Sequence, residues 1–178
     1  MKKKITILLL ALCLVLLAAC GEPSPSDALK ADIEKAKSSP DEIIEGIGSD
    51  GFGEEATQAL IDKVLDFDYK LGEEKVDGET ATVDLTITTY PLGEIFTNVL
   101  SELFSSNLEE LGAMTEEELT AYMDETLISN LDKAEKNFET DLTVTLKKQD
   151  GKWVVEESEE FTNALTGGML DFASSMMG

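Results

Sequence analysis

The stretch Asp77-Gly78-Glu79-Thr80-Ala81-Thr82-Val83-Asp84-Leu85-Thr86-Ile87-Thr88 decides the fold class. Ala81, Val83, Leu85 and Ile87 alternate with Thr80, Thr82, Asp84, Thr86 and Thr88. Side chains two apart share one face of a strand, so one face is apolar and buried and the other is wet. That is the pattern of an antiparallel sheet with one open side. Asp77-Gly78 reads as a hairpin turn, its glycine supplying the positive φ of a tight type I′ turn. Phe67, Tyr69 and Leu71 upstream give the apolar side of the partner strand.

The same device returns downstream. Leu142, Val144 and Leu146 alternate with Thr143, Thr145 and Lys147. Asp150-Gly151 repeats the turn, and Lys152-Trp153-Val154-Val155-Glu156 is the return strand. Between the hairpins lie two helical patterns. Pro91 and Glu94 open the first, in which Leu92, Ile95, Phe96, Val99, Leu100, Leu103, Phe104, Leu108 and Leu111 recur at three- and four-residue steps before Gly112 ends it. Thr115 and Glu118 form a capping box for the second, which carries Leu119, Tyr122, Met123, Leu127, Leu131 and Ala134. These two helices are expected to form an antiparallel pair. The expected fold is therefore α+β: a four-stranded antiparallel sheet, made of two Asp-Gly hairpins, with helices packed on one face.

Helices also precede the sheet. Ser26 is expected to cap a helix through Ala28, Leu29, Ile33 and Ala36. Ser39-Pro40-Asp41-Glu42 opens a second short helix, and Glu54–Asp66 forms a third with Ala56, Leu60 and Val64 on one face. The loop from Gly48 to Gly53 has an aspartate and three glycines but lacks the oxygen ligands of a calcium loop at the needed spacing. At the C-terminus Ser158 caps a helix with Phe161 and Leu165, and Gly167-Gly168 breaks it. Met169, Leu170, Phe172, Met176 and Met177 then form an apolar tail, which suits a lid on the core, a partner surface or a frayed end alike.

Upstream of all this, Lys2, Lys3 and Lys4 precede an apolar run from Ile5 to Leu17, and small residues Ala18 and Ala19 precede Cys20. Charge, apolar run and small residues in that order are a secretory signal, and the run is too short for a comfortable spanning helix. Leu17-Ala18-Ala19-Cys20, followed by Gly21, resembles a bacterial lipobox. That resemblance implies diacylglycerol transfer to the Cys20 sulfur and cleavage before Cys20. The expected organisation is a signal at 1–19, a tether at 20–26 containing Pro23 and Pro25, and one domain at 27–178. Cys13 leaves with the signal, so the mature domain holds no disulfide and depends on packing.

Composition narrows the partners. The chain carries 14 basic and 37 acidic residues, a net charge of −23, with no arginine and no histidine. Loss of three signal lysines leaves the mature protein near −26 (11 − 37). Such a charge repels nucleic acid, whose binding rests on cationic contacts to phosphate. It suits solubility and a stand-off from the membrane surface, or else cation buffering or a basic partner.

The pattern of helices, an Asp-Gly hairpin and the closing Asp150-Gly151-Lys152-Trp153-Val154-Val155 resembles small Gram-positive bacterial lipoproteins with domains of unknown function. Many of these have a cystatin-like or nuclear-transport-factor-2-like fold. The resemblance implies a curved antiparallel sheet wrapped by helices, sometimes around an apolar pocket, and no single function.

Two function classes follow: a lipid-anchored, non-catalytic binding or interaction module, and a small cone-shaped enzyme of the isomerase or dehydratase kind using carboxylate or tyrosine chemistry. Without histidine or a free thiol, the Ser-His and Cys-His arrangements are missing, and a zinc site would need unusual ligands. The interior positions Ala81, Val83, Leu85, Ile87, Leu142, Val144 and Leu146 carry no titratable group, while Asp84, Glu139 and Asp141 fall on the wet face. Only a helix could bring an acid inward, for instance Glu102 or Asp124. Expectation therefore favours the binding module, at the outer face of the bacterial membrane, with no catalytic, cofactor or metal residue. Lipidation falls at Cys20, and Tyr69, Tyr122 and Trp153 could line a pocket. The expected partners are the membrane, through the lipid on Cys20, and an envelope protein or a small apolar ligand.

Overall fold

The alternation of Thr80–Thr89 produces a strand whose odd-numbered side chains from Ala81 to Thr89 are all buried. In the computed structural model, which describes residues 23–38, 51–106 and 111–177, this strand is β2. It pairs on one side with β1 (Asp68–Asp77) and on the other with β3 (Phe138–Gln149), which pairs in turn with β4 (Lys152–Val155). All pairings are antiparallel and the order is β1-β2-β3-β4. The β2–β3 register runs unbroken from Thr80↔Lys147 to Thr89↔Phe138, setting Val83 on Val144 and Leu85 on Leu142. These cross-strand apolar pairs are what hold a sheet's register.

Helices cover that apolar face, as the alternation requires. They are α1 (Pro25–Ser38), through Leu29 and Ile33, and the short α5 (Glu159–Leu165), through Ala164. Helices α2 (Glu54–Leu65), α3 (Leu92–Ser105), α4 (Glu116–Lys133) and α6 (Met169–Met177) build a second apolar cluster of their own. Its buried members include Ala56, Leu60, Val64, Ile95, Val99, Leu127 and Leu131. Ser106 Oγ lies 2.7 Å from the Tyr122 hydroxyl, and Asn130 donates to Glu102 at 3.4 Å, so α3 and α4 run antiparallel as expected. The first turn and a half of the C-terminal tail packs on the helical cluster, with Met169 buried and Phe172 against Phe96, ring centres 5.9 Å apart, while Met176 and Met177 stay exposed.

Three local expectations are corrected. The cap of α1 is Ser24, not Ser26. The Ser24 hydroxyl accepts from the Asp27 N–H at 3.1 Å, and the Asp27 carboxylate accepts from the Ser24 N–H at 3.2 Å. Pro25 then takes the first helical position, where its missing N–H costs nothing, so the helix starts within the stretch read as tether. Second, the two Asp-Gly turns differ. In the first, Asp77 is already paired with Thr80 and only Gly78 has positive φ (64°), the pattern of a II′ turn. In the second, Asp150 (50°) and Gly151 (82°) are both positive, which is type I′. Third, α3 ends at Ser105, short of Gly112. Leu108 and the Ser39–Glu42 helix start lie outside the described residues. The capping box at Thr115 and Glu118 and the Ser158 cap form as expected.

Candidate functional site

The open face of the sheet carries the even-numbered side chains of β2 opposite the odd-numbered ones of β3. Thr86 donates to Asp141 at 2.6 Å, and Thr143 donates to Asp84 at 2.9 Å. Because each pair sits directly across the ladder, both carboxylates are held in fixed positions by a neighbouring hydroxyl. A bulge in β1 between Leu71 and Glu74 interrupts the edge beside them. The result is a cleft of about 350 Å³ lined by Lys70, Gly72, Asp84, Thr86, Asp141 and Thr143. Its chemistry is that of a hydrogen-bonding surface: hydroxyls, fixed carboxylates and one ammonium.

A second polar cluster joins the sheet to the helical cluster. Asp66 and Asp68 follow α2, Tyr90 follows β2 and Lys136 follows α4. Lys136 donates to Asp66 at 2.6 Å and to Asp68 at 3.2 Å, and the Tyr90 hydroxyl donates to Asp66 at 3.0 Å. Lys63 lies 4.2 Å from the centre of the Tyr90 ring. The hydrogen bond from Lys136 holds the Asp66 carboxyl below its ordinary value, and the same bond raises Lys136. Desolvation, then the bond to Asp66, pushes Tyr90 up. Three chain crossings between the clusters are thus tied by one ionic knot. A fourth closes beside it, where Gly93 N–H donates to Gly167 C=O at 3.0 Å.

The residues singled out in the sequence do not converge. Tyr69 lies on β1 and Trp153 on β4, opposite edges of the sheet, both packed at the margin of the sheet core. The Tyr69 hydroxyl donates to Glu34 at 2.7 Å, which raises its pKa. Tyr122 sits on α4 beside Ser106. Glu102 is exposed, and Asp124 accepts from the Gly53 N–H at 2.8 Å, closing the start of α2. Cys20 lies outside the described residues. Sequence reasoning missed the Thr–Asp pairs and Lys136. The wet-face parity of Asp84 and Asp141 was visible, but their pairing depends on the register between strands more than fifty residues apart.

Among the described residues, no group of three or more potential ligands could hold a metal ion, and no helix is long and apolar enough to cross a membrane. No protein-family model, curated protein or solved structure matches the chain.

Proposed function

We propose that this is a lipid-anchored, extracytoplasmic binding module with no catalytic role. The observation that carries the reading is the order Lys2-Lys3-Lys4, Ile5 to Leu17, Ala18-Ala19-Cys20 at the start of the chain. Two acyl chains on Cys20 would give a durable anchor, since each buried methylene contributes about 0.8 kcal/mol. A non-catalytic role is supported by the state of the tyrosine–carboxylate pairs. Tyr69–Glu34 and Tyr90–Asp66 are open to solvent, and Asp66 is held ionised by Lys136 rather than poised as an acid. Apolar side chains packed beneath α1 and α5 occupy the face where a cone-shaped enzyme would place its acid.

The Thr–Asp cleft is the surface we assign to the ligand. Its fixed acceptors suit the backbone and side-chain donors of an envelope protein better than an apolar small molecule. Metabolic labelling with a fatty acid tests the anchor. The wild-type chain should take up label and Cys20→Ala should not; equal label in the variant would sink the reading.

A further inference from the structure

We infer that the domain stands on the turn end of its sheet, with the β3–β4 hairpin against an anionic phospholipid surface and the acidic helical cluster directed away. This rests on the anchor at Cys20 proposed above. Two further observations set the orientation.

The first is where the leash attaches. Both hairpin turns lie at one end of the sheet, joined by a hydrogen bond from Lys148 N–H to Glu79 C=O at 2.8 Å. The start of α1 is fastened near the same end. The Ser26 N–H donates to Glu74 at 2.9 Å and its hydroxyl donates at 2.5 Å. From there α1 runs toward the far end, where Lys37 donates to Phe67 C=O at 2.5 Å. Three residues, and so four residue steps, separate Cys20 from Ser24. Even fully extended they reach only about 14 Å, at roughly 3.5 Å per residue. The turn end is therefore the part of the domain that a lipid on Cys20 keeps close to the bilayer.

The second observation is charge. Helices α2, α3, α4 and α6 carry twelve carboxylates against two lysines. The hairpin from Leu146 to Val155 carries three lysines against one aspartate, and the neighbouring turn from Glu73 to Glu79 carries one lysine against four carboxylates, so this end is near neutral where the helices are strongly acidic. Lys147 is paired with Glu156, Lys148 stands over the Trp153 ring and Lys152 is exposed. Val76, 54 % exposed, and Val154, 38 % exposed, add apolar surface on the hairpins. An anionic surface acts on charge within about 8 Å at physiological ionic strength, so the pole it meets decides the orientation. A strongly acidic domain is repelled least when its least acidic pole faces the lipid. Leash and charge select the same pole.

The test uses the full chain, processed in a bacterium and reconstituted into phosphatidylglycerol–phosphatidylcholine vesicles that carry a headgroup quencher. A thiol-reactive fluorophore is placed at Val76→Cys in one sample and at Gln58→Cys, on exposed α2, in another; lipid on Cys20 leaves the engineered thiol alone to react. Flotation with the vesicles reads the anchor, and quenching reads the orientation. Co-flotation with the Val76 label quenched at least twofold more than the Gln58 label is expected, with the ratio falling in Lys148→Glu/Lys152→Glu. Co-flotation with equal or reversed quenching overturns the orientation and leaves the anchor standing. A ratio untouched by the lysine replacements overturns the role of the hairpin charge. Failure to float overturns the anchor and the orientation with it.

Discussion

Replacing Gly167 by alanine should be the most damaging single-methyl change in this domain. Gly167 has φ of +57° at the break between α5 and α6. A Cβ there would stand 1.9 Å from the Tyr90 carbonyl oxygen and 3.0 Å from the Leu92 backbone nitrogen. Both are main-chain atoms and cannot swing aside. The left-handed conformation alone costs a non-glycine residue about 1–2 kcal/mol. The displaced backbone would also break the bond from Gly93 N–H to Gly167 C=O, and an unmade buried hydrogen bond costs about 1–3 kcal/mol. Together these come to roughly 2–5 kcal/mol before the clash itself, against a total stability of about 5–15 kcal/mol for a typical domain. At about 2–4 °C per kcal/mol for a chain of this size, the melting temperature should fall by roughly 4–20 °C. Gly78→Ala is the internal control. Its φ is +64°, but a Cβ there meets nothing within 4 Å, so only the left-handed cost of about 1–2 kcal/mol remains. Urea unfolding followed by circular dichroism and by Trp153 fluorescence measures both. Equal losses for the two variants would refute the close backbone approach that joins the sheet to the helical cluster.

Leu85→Ala should cost about 2–5 kcal/mol, because Leu85 is buried between the sheet and its helices. Thr86→Ala, which loses only the solvent-facing bond to Asp141, should cost about 0.5–1.5 kcal/mol; equal costs in denaturant titrations would mean both sheet faces are covered. Asp66, depressed below its ordinary 3.8, contributes stability that is present above that value and lost as pH falls through its lower folded pKa. Asp66 is 56 % exposed, so Asp66→Asn should cost no more than about 1 kcal/mol at neutral pH, and the difference from wild type should vanish in acid. Moderate salt should raise the melting temperature, since screening relieves the self-repulsion of a chain at −23; a flat response would show charges too evenly spread to matter.

What the sequence discloses depends on how local the determining physics is. The period-two run from Ala81 to Ile87 names its own buried face, and Thr115 with Glu118 names a helix start, because both are decided by near neighbours. The two Asp-Gly dipeptides look alike, yet the flanking apolar register places Asp77 in the strand and Asp150 in the turn. Ser24 and Ser26 both suit a cap; the Asp27 side chain and the Pro25 ring favour Ser24. That α3 and α4 form their own core with α2 and α6 was not legible, since an apolar stripe does not say what it will face. Nor could the stripe show that Tyr69, Tyr122 and Trp153 would end up apart. Lys136 reads as an ordinary surface lysine until three chain crossings meet around it. The Thr–Asp cleft needs the long-range register of β2 on β3 together with the bulge in β1.

The most direct measurement is the intact mass and N-terminal sequence state of the mature protein extracted from bacterial membranes. The expected result is a chain that begins at Cys20, with the mass of a diacylglycerol adduct on that residue, recovered in the detergent phase. A chain cleaved elsewhere, or beginning at Cys20 with an unmodified thiol and recovered from the medium, would contradict it.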